Sequence, residues 1–390
     1  MASSRLIFVF GALVLGAGAC TPATTPLPAV TGTTSVSAGT PTTAPSTPTS
    51  APAPTATPLP EPAVLAPDNA SGLQQVYLLG GHANAVRSLA FSPDSSRLVT
   101  GTGGLSDHSD QRLRLWAVGS GELMNETAQQ SGIIWDVTYS PDGQVIASAE
   151  GDDTVRLWRG SDLSPLGQLK MTGQVNSVAI SPDGQQLAAG VAESDGGFVY
   201  LWDLPGASVV RLWKAESISV ASLAFSPDGS TLATGAVDRT IRLWRVADGS
   251  LVRQLSLPGQ SLAVAYMPSG DGLGAGMCSL SDKSFACLRG EAWLWSLPSG
   301  HVLQKLTGPD NWVNSVAFSP DGMILAGGAG DGKIYFWRTS DGVLLSVLST
   351  DQGSVESVAV SPDGRWVASA HIGGAAVLWG VLSGSGSGGS

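Results

Sequence analysis

Four histidines, three cysteines and a recurrent aspartate are the residues of this 390-residue chain best suited to chemistry. His82, His108, His301 and His371 lie far apart and show no metal-ligand spacing, so no metal is expected. The aspartate recurs inside Ser-Pro-Asp-Gly, at 140–143, 181–184, 226–229, 319–322 and 361–364, with degenerate copies at 92–95 and 267–270. Such regular placement makes it a turn former: proline presets φ, aspartate bonds its own backbone, and glycine accepts a positive φ. The Gly-rich run 327–332 joins two β-rich stretches, whereas a phosphate loop opens a helix, so it reads as a hairpin turn. Carboxylates or histidines at the spacing of a catalytic set are not found, and no cofactor is expected. Cys278 and Cys287 flank Ser281-Asp282-Lys283-Ser284, which reads as a turn between two strands and sets the cysteines opposite each other. Outside the cytoplasm they should pair as a disulfide; two free core thiols are the alternative.

The elements that position these residues repeat. Seven segments end in an apolar residue and tryptophan, at Trp116, Trp158, Trp202, Trp244, Trp295, Trp337 and Trp379, spaced by 42, 44, 42, 51, 42 and 42 residues. Each unit reads as a β-rich run, the turn tetrapeptide, a second strand, a Gly/Asp turn, a third strand ending in the tryptophan, and a fourth strand. Short apolar stretches that stop at Pro, Asp or Gly, together with 50 glycines, predict an all-β fold without sustained helical periodicity. A net charge of −11 and no cluster of Lys and Arg argue against a nucleic-acid partner.

The units resemble WD40 repeats over residues 73–380, which implies a seven-bladed β-propeller of four-stranded antiparallel blades; a monomeric ring is expected. Aspartate six residues before the tryptophan recurs at Asp110, Asp152, Asp238 and Asp331, as in the family, and a literal Trp-Asp stands at Trp202-Asp203. Gly-His occurs only at Gly81-His82. The resemblance therefore implies the family's hydrogen-bonded tetrad in blade 1 alone, from His82, Thr100, Asp110 and Trp116; the other blades must be held differently. After Trp379 the chain has no fourth strand for blade 7, and an orphan strand at 73–79 precedes blade 1. The N-terminal strand is expected to complete blade 7 and close the ring. The propeller is placed at 69–382, followed by a flexible Gly/Ser tail at 383–390.

Residues 1–19 read as a signal peptide: Arg5, an apolar stretch from Leu6 to Leu15, and small residues up to Ala19. The following Cys20 resembles the lipidated cysteine of bacterial lipoproteins, although Ala17 stands where that family prefers leucine. The implied product is lipid-anchored at Cys20 and faces outward from a bacterial membrane; secretion after cleavage at the same bond is the alternative. Residues 20–68, rich in Pro and Thr, form a tether unable to pack a core.

Insertions fall at 101–111, 190–198 and 276–291, all on one face by the family register. The same register places Arg87, Trp135, Asn176, Ala221, Leu262, Asn314 and Glu356 around the ring opening, with Ile133 and Trp312 two residues earlier in their repeats. Trp312, Trp135, Arg87, Ile133, Asn176, Asn314 and Glu356 are the expected contacts for a protein or peptide partner, with Trp312 at the rim of the funnel. The function expected is a non-catalytic scaffold; a propeller enzyme or carbohydrate-binding module using the central funnel is the alternative.

Overall fold

The computed structural model describes residues 60–105, 108–216, 218–282 and 286–382. Their strands form seven separate four-stranded sheets, each antiparallel. The first strands of blades 1 to 7 are Val86–Phe91, Ile134–Tyr139, Gln174–Ile180, Val220–Phe225, Ser261–Tyr266, Val313–Phe318 and Val355–Val360. They contact one another in sequence, and the seventh returns to the first, so they are the inner wall of a closed ring. Antiparallel connectivity puts the turns after strands one and three on one face. The turns after strands two and four lie on the other.

Blade 7 is built from both ends of the ring. Its sheet takes Leu73–Leu79 as outermost strand, paired antiparallel with Ala375–Val381, so the ring closes through the N-terminal strand. The packed chain starts earlier than residue 69, however, inside what the sequence reads as tether. The Pro62 carbonyl accepts a bond from Arg365 Nη1 at 2.7 Å, Ala63 bridges to Val381, and the Leu65 amide donates to the Gly364 carbonyl at 2.8 Å. Asn69 folds this strap back, accepting from the Ala66 amide and donating to the Val64 carbonyl, both at 2.8 Å. Leu65 and Ala70 are the reason: they enter the apolar layer between blades 6 and 7, beside Phe336 and Val355. Two apolar side chains suffice to pin a Pro-rich segment that has a sheet edge to lie on.

The core lies between neighbouring blades, as a series of layers such as Val99, Leu115, Ile134 and Ile146 for blades 1 and 2. A belt of side-chain bonds joins the inner strands as well. Ser88 Oγ accepts from the Val137 amide at 3.2 Å, Ser177 Oγ from Leu223 at 3.2 Å, Ser222 Oγ from Val264 at 3.3 Å and Ser315 Oγ from Val358 at 3.1 Å. Asp136 takes the serine's place in blade 2. It accepts from the Val178 amide at 3.0 Å and from the hydroxyls of Ser88 and Ser177, each at 2.9 Å. The turn aspartates do what their regular placement implies. Asp142 accepts from Ser140 Oγ at 2.6 Å and the Gln144 amide at 3.0 Å, and Gly143 has φ 70°. These bonds, the serine hydroxyl first, hold the carboxyls of Asp94, Asp142, Asp183 and Asp228 below the ordinary range.

Candidate partner-binding face

The blade 1 tetrad is partly formed. Trp116 Nε1 donates to Thr100 Oγ1 at 3.0 Å, and that hydroxyl lies 3.2 Å from His82 Nε2. Asp110 does not complete the chain to His82. It accepts from the Ala83 amide at 2.8 Å and pairs with Arg114 at 3.0 Å, while His82 Nδ1 has no hydrogen-bond partner among the described residues. Burial, reinforced by the Arg114 charge, lowers the His82 pKa to about 4.

Sequence reasoning missed how the other blades replace the histidine. In blade 2, Trp158 donates to Ser148 Oγ at 3.0 Å, and Ser148 donates to Glu150, which pairs with Arg156. In blade 4, Trp244 donates to Thr234 Oγ1 at 3.0 Å, and Thr234 donates to Glu216, which pairs with Arg242. In blade 7, Trp379 donates to Ser369 Oγ at 2.9 Å, and Ser369 lies 2.8 Å from His371 Nε2. The spacing carried the signal. Glu216 precedes the belt residue Ser222 by six, as His82 precedes Ser88, and Glu150 and His371 each stand two residues after their serine. Burial pushes Glu150 up to about 7, its Arg156 neighbour only partly offsetting that, and lowers His371 to about 4.

The row expected to meet a partner is largely buried, and it joins blades. Arg87 and Glu356 form an ion pair at 2.9 Å with side chains 3% and 1% exposed, across the seam between blades 1 and 7. The Arg87 guanidinium also donates to the Gly103 carbonyl at 3.1 Å and lies 5.5 Å from the centre of the Trp135 ring. Asn314 Nδ2 reaches the Val355 carbonyl of the next blade at 2.9 Å, and Asn176 Nδ2 reaches the Val220 carbonyl at 3.2 Å. Ile133 and Trp135 are buried, Leu262 is buried, and Asn176 and Ala221 are half-buried. Trp312 is corrected most plainly. It is 3% exposed and packs with Val237, Leu262 and Cys278 instead of standing at the rim.

The cause is the blade 5 hairpin. Its strands Gly272–Ser281 and Cys287–Ser296 run ten residues each, against six for Ile324–Ala329 and Lys333–Arg338 of blade 6. Cys278 and Cys287 are joined by a disulfide, Cα atoms 5.8 Å apart. The cysteines are diagonal rather than directly opposite: the register pairs Cys278 with Gly290 and Cys287 with Ser281. The flanking loops close on the hairpin. A Cβ on Gly259 would sit 1.6 Å from the Cys278 carbonyl oxygen, and one on Gly290 would sit 1.9 Å from that of Asn311. Glycine is therefore required at both close approaches. Blade 3 also converts its insertion into sheet, with strands Gln186–Glu193 and Gly196–Asp203 of eight residues.

The face with these longer hairpins still offers apolar contacts. Leu280 and Leu288 in the blade 5 hairpin are 50% and 55% exposed. Ile218, between blades 3 and 4, and Ile372, in the blade 7 turn, are also exposed. Among the described residues, no group of three or more His, Cys, Asp and Glu could hold a metal ion.

The family model for the WD domain, G-beta repeat, matches residues 73–117, 121–159, 164–203, 208–245, 300–338 and 342–380. The chain belongs to the WD40 family. The stretch 246–299 between two matches is left unmatched, and it holds the first three strands of blade 5 with the disulfide hairpin. Among relatives, WD repeat-containing protein 90 of Homo sapiens is 27% identical over 283 residues, 68% of this chain and 15% of that protein. MST50-interacting protein 11 of Pyricularia oryzae is 31% identical over 175 residues, 43% of this chain and 53% of that protein. Small ribosomal subunit protein RACK1y of Oryza sativa subsp. japonica is 27% identical over 176 residues, 43% of this chain and 49% of that protein. The aligned parts thus span about half, or far less, of these WD40 relatives.

Proposed function

We propose that this WD40 propeller is a protein-binding scaffold, and that its partner docks on the face carrying the blade 3 and blade 5 hairpins. One observation carries the reading: blade 5 departs from the repeat by adding a disulfide-tied hairpin that leaves Leu280 and Leu288 exposed. Blade 6 packs with hairpin strands of six residues, so the extra length of the blade 5 hairpin is more than the repeat needs, and rigid loops on a stable frame are where recognition resides. The names of two relatives point the same way, one as an MST50-interacting protein and the other as a ribosomal subunit protein. Trp312, Trp135 and Arg87 support this face from below. The test is affinity capture with the mature chain from the envelope of its own host, beside Leu280→Asp and Leu288→Asp. Loss of the captured protein at an unchanged melting temperature is expected; unchanged capture overturns the reading.

The scaffold is proposed to act outside the cytoplasm, lipid-anchored at Cys20 to a bacterial membrane. Cys20 and the signal-like segment lie outside the described residues. Support comes from the small residues before Cys20 and from the paired Cys278 and Cys287, since disulfides persist in oxidising compartments. Cys20→Ser should release a normally processed chain from the membrane fraction; retention there overturns the anchor.

A further inference from the structure

Beside the disulfide hairpin, on the same face, lies a small cleft of about 40 Å³. Arg239, Gly259, Gln260, Ser279 and Trp312 are among the residues that line it. Two of its polar groups are unmatched. Arg239 sits in the turn after the second strand of blade 4, exposed, with no acidic group within ion-pair distance among the described residues. In the same turn, the Asp238 charge is taken up by Arg242, at 3.0 Å. Gln260 Oε1 is buried and accepts no hydrogen bond among the described residues. Arg239 is thus an unmatched guanidinium in a chain of net charge −11, and the acid next to it in sequence already has a partner.

The cleft is too small for a ring or an aliphatic side chain and has room for a carboxylate. A carboxylate would pair with Arg239 through a charge-assisted bond, and a neighbouring backbone N–H would satisfy Gln260 Oε1. An acidic residue within a peptide supplies both groups at once. The exposed Leu280, on the hairpin that forms one wall, offers an apolar contact beside them. We infer that this cleft reads an acidic residue next to an apolar one in an exposed segment of the protein partner. The inference rests on the hairpin face being the docking face, and it adds the chemistry of what docks there.

The probe is a phage-displayed library of random peptides, selected on the intact oxidised chain. Peptides with Asp or Glu adjacent to an apolar residue are expected to be enriched. The best of them should bind Arg239→Gln about tenfold more weakly, as should its Glu→Gln or Asp→Asn analogue on the unmodified chain, with no further loss when both changes are combined. Arg239→Lys should recover part of the affinity. Leu280→Asp separates the two readings. If binding depends on Leu280 but is indifferent to Arg239, the docking face stands and the acidic reading falls. If no selected peptide depends on Leu280, both fall. Selection of peptides without acidic residues also overturns the inference.

Discussion

Trp312 and Trp337 begin as different kinds of residue in the repeat and end in the same environment. Trp337 is fully buried and donates from Nε1 to the Thr307 carbonyl at 3.0 Å. Trp312 is closed over by the blade 5 hairpin, so Trp312→Ala should destabilise the fold by about 3–5 kcal/mol, as should Trp337→Ala. Calorimetry of both variants checks this; an unshifted melting temperature for Trp312→Ala would contradict its burial. The buried titratable groups set a pH dependence. His82 and His371 have pKa values of about 4 in the fold, below the ordinary 6.5, so unfolding takes up protons and their stabilisation is lost as pH falls through 6.5 towards 4. Glu150, raised to about 7, acts in the opposite sense, contributing most below its ordinary 4.5 and losing that contribution as pH rises through 7. Among these three groups, two against one leaves a net slope between pH 6.5 and 4.5, stability rising with pH. In urea titrations across that range, Glu150→Gln should steepen the slope and His371→Gln should flatten it.

At the scale of elements, the hairpin of blade 5 is the feature that most changes its surroundings. Its disulfide closes a short loop, with a sequence separation of 9. Replacing both cysteines by serine should cost about 2–3 kcal/mol and raise amide exchange in 276–291 before the rest of the ring. Uniform exchange throughout would show that the flanking loops alone hold the hairpin. The strands themselves were legible in the sequence, because the seven tryptophans and the turn tetrapeptides fix where each blade starts and stops. What the spacing did not reveal was the burial of Trp312 and Arg87. A register position tells which strand carries a side chain but not how far a neighbouring insertion covers it. The acceptors Glu150, Glu216 and His371 were hidden for another reason: the same hydrogen bond is supplied from two different places in the repeat, so no single motif marks it.

On the scale of the whole molecule, seven blades share one plan while the seams differ. The belt of serine hydroxyls links most neighbours, and the seam between blades 7 and 1 carries the Arg87–Glu356 pair. That pair bridges segments 269 residues apart in sequence, so it forms only once the circle is complete. The Pro-rich strap was assigned to the tether because composition averages over a segment, whereas two apolar residues decided its fate. Its position has a topological outcome. Ala63 lies beside Val381, so both ends of the packed chain leave from one spot on one face. A circle whose ends meet can be opened anywhere. A permutant that joins 382 to 60 through a short Gly/Ser linker and begins instead at 308, between blades 5 and 6, should fold to the same ring, provided the new ends lie beside an outer strand that can still zip to its blade. Circular dichroism and melting would report it, and a chain that fails to fold would mean that the strap, not the circle, directs closure.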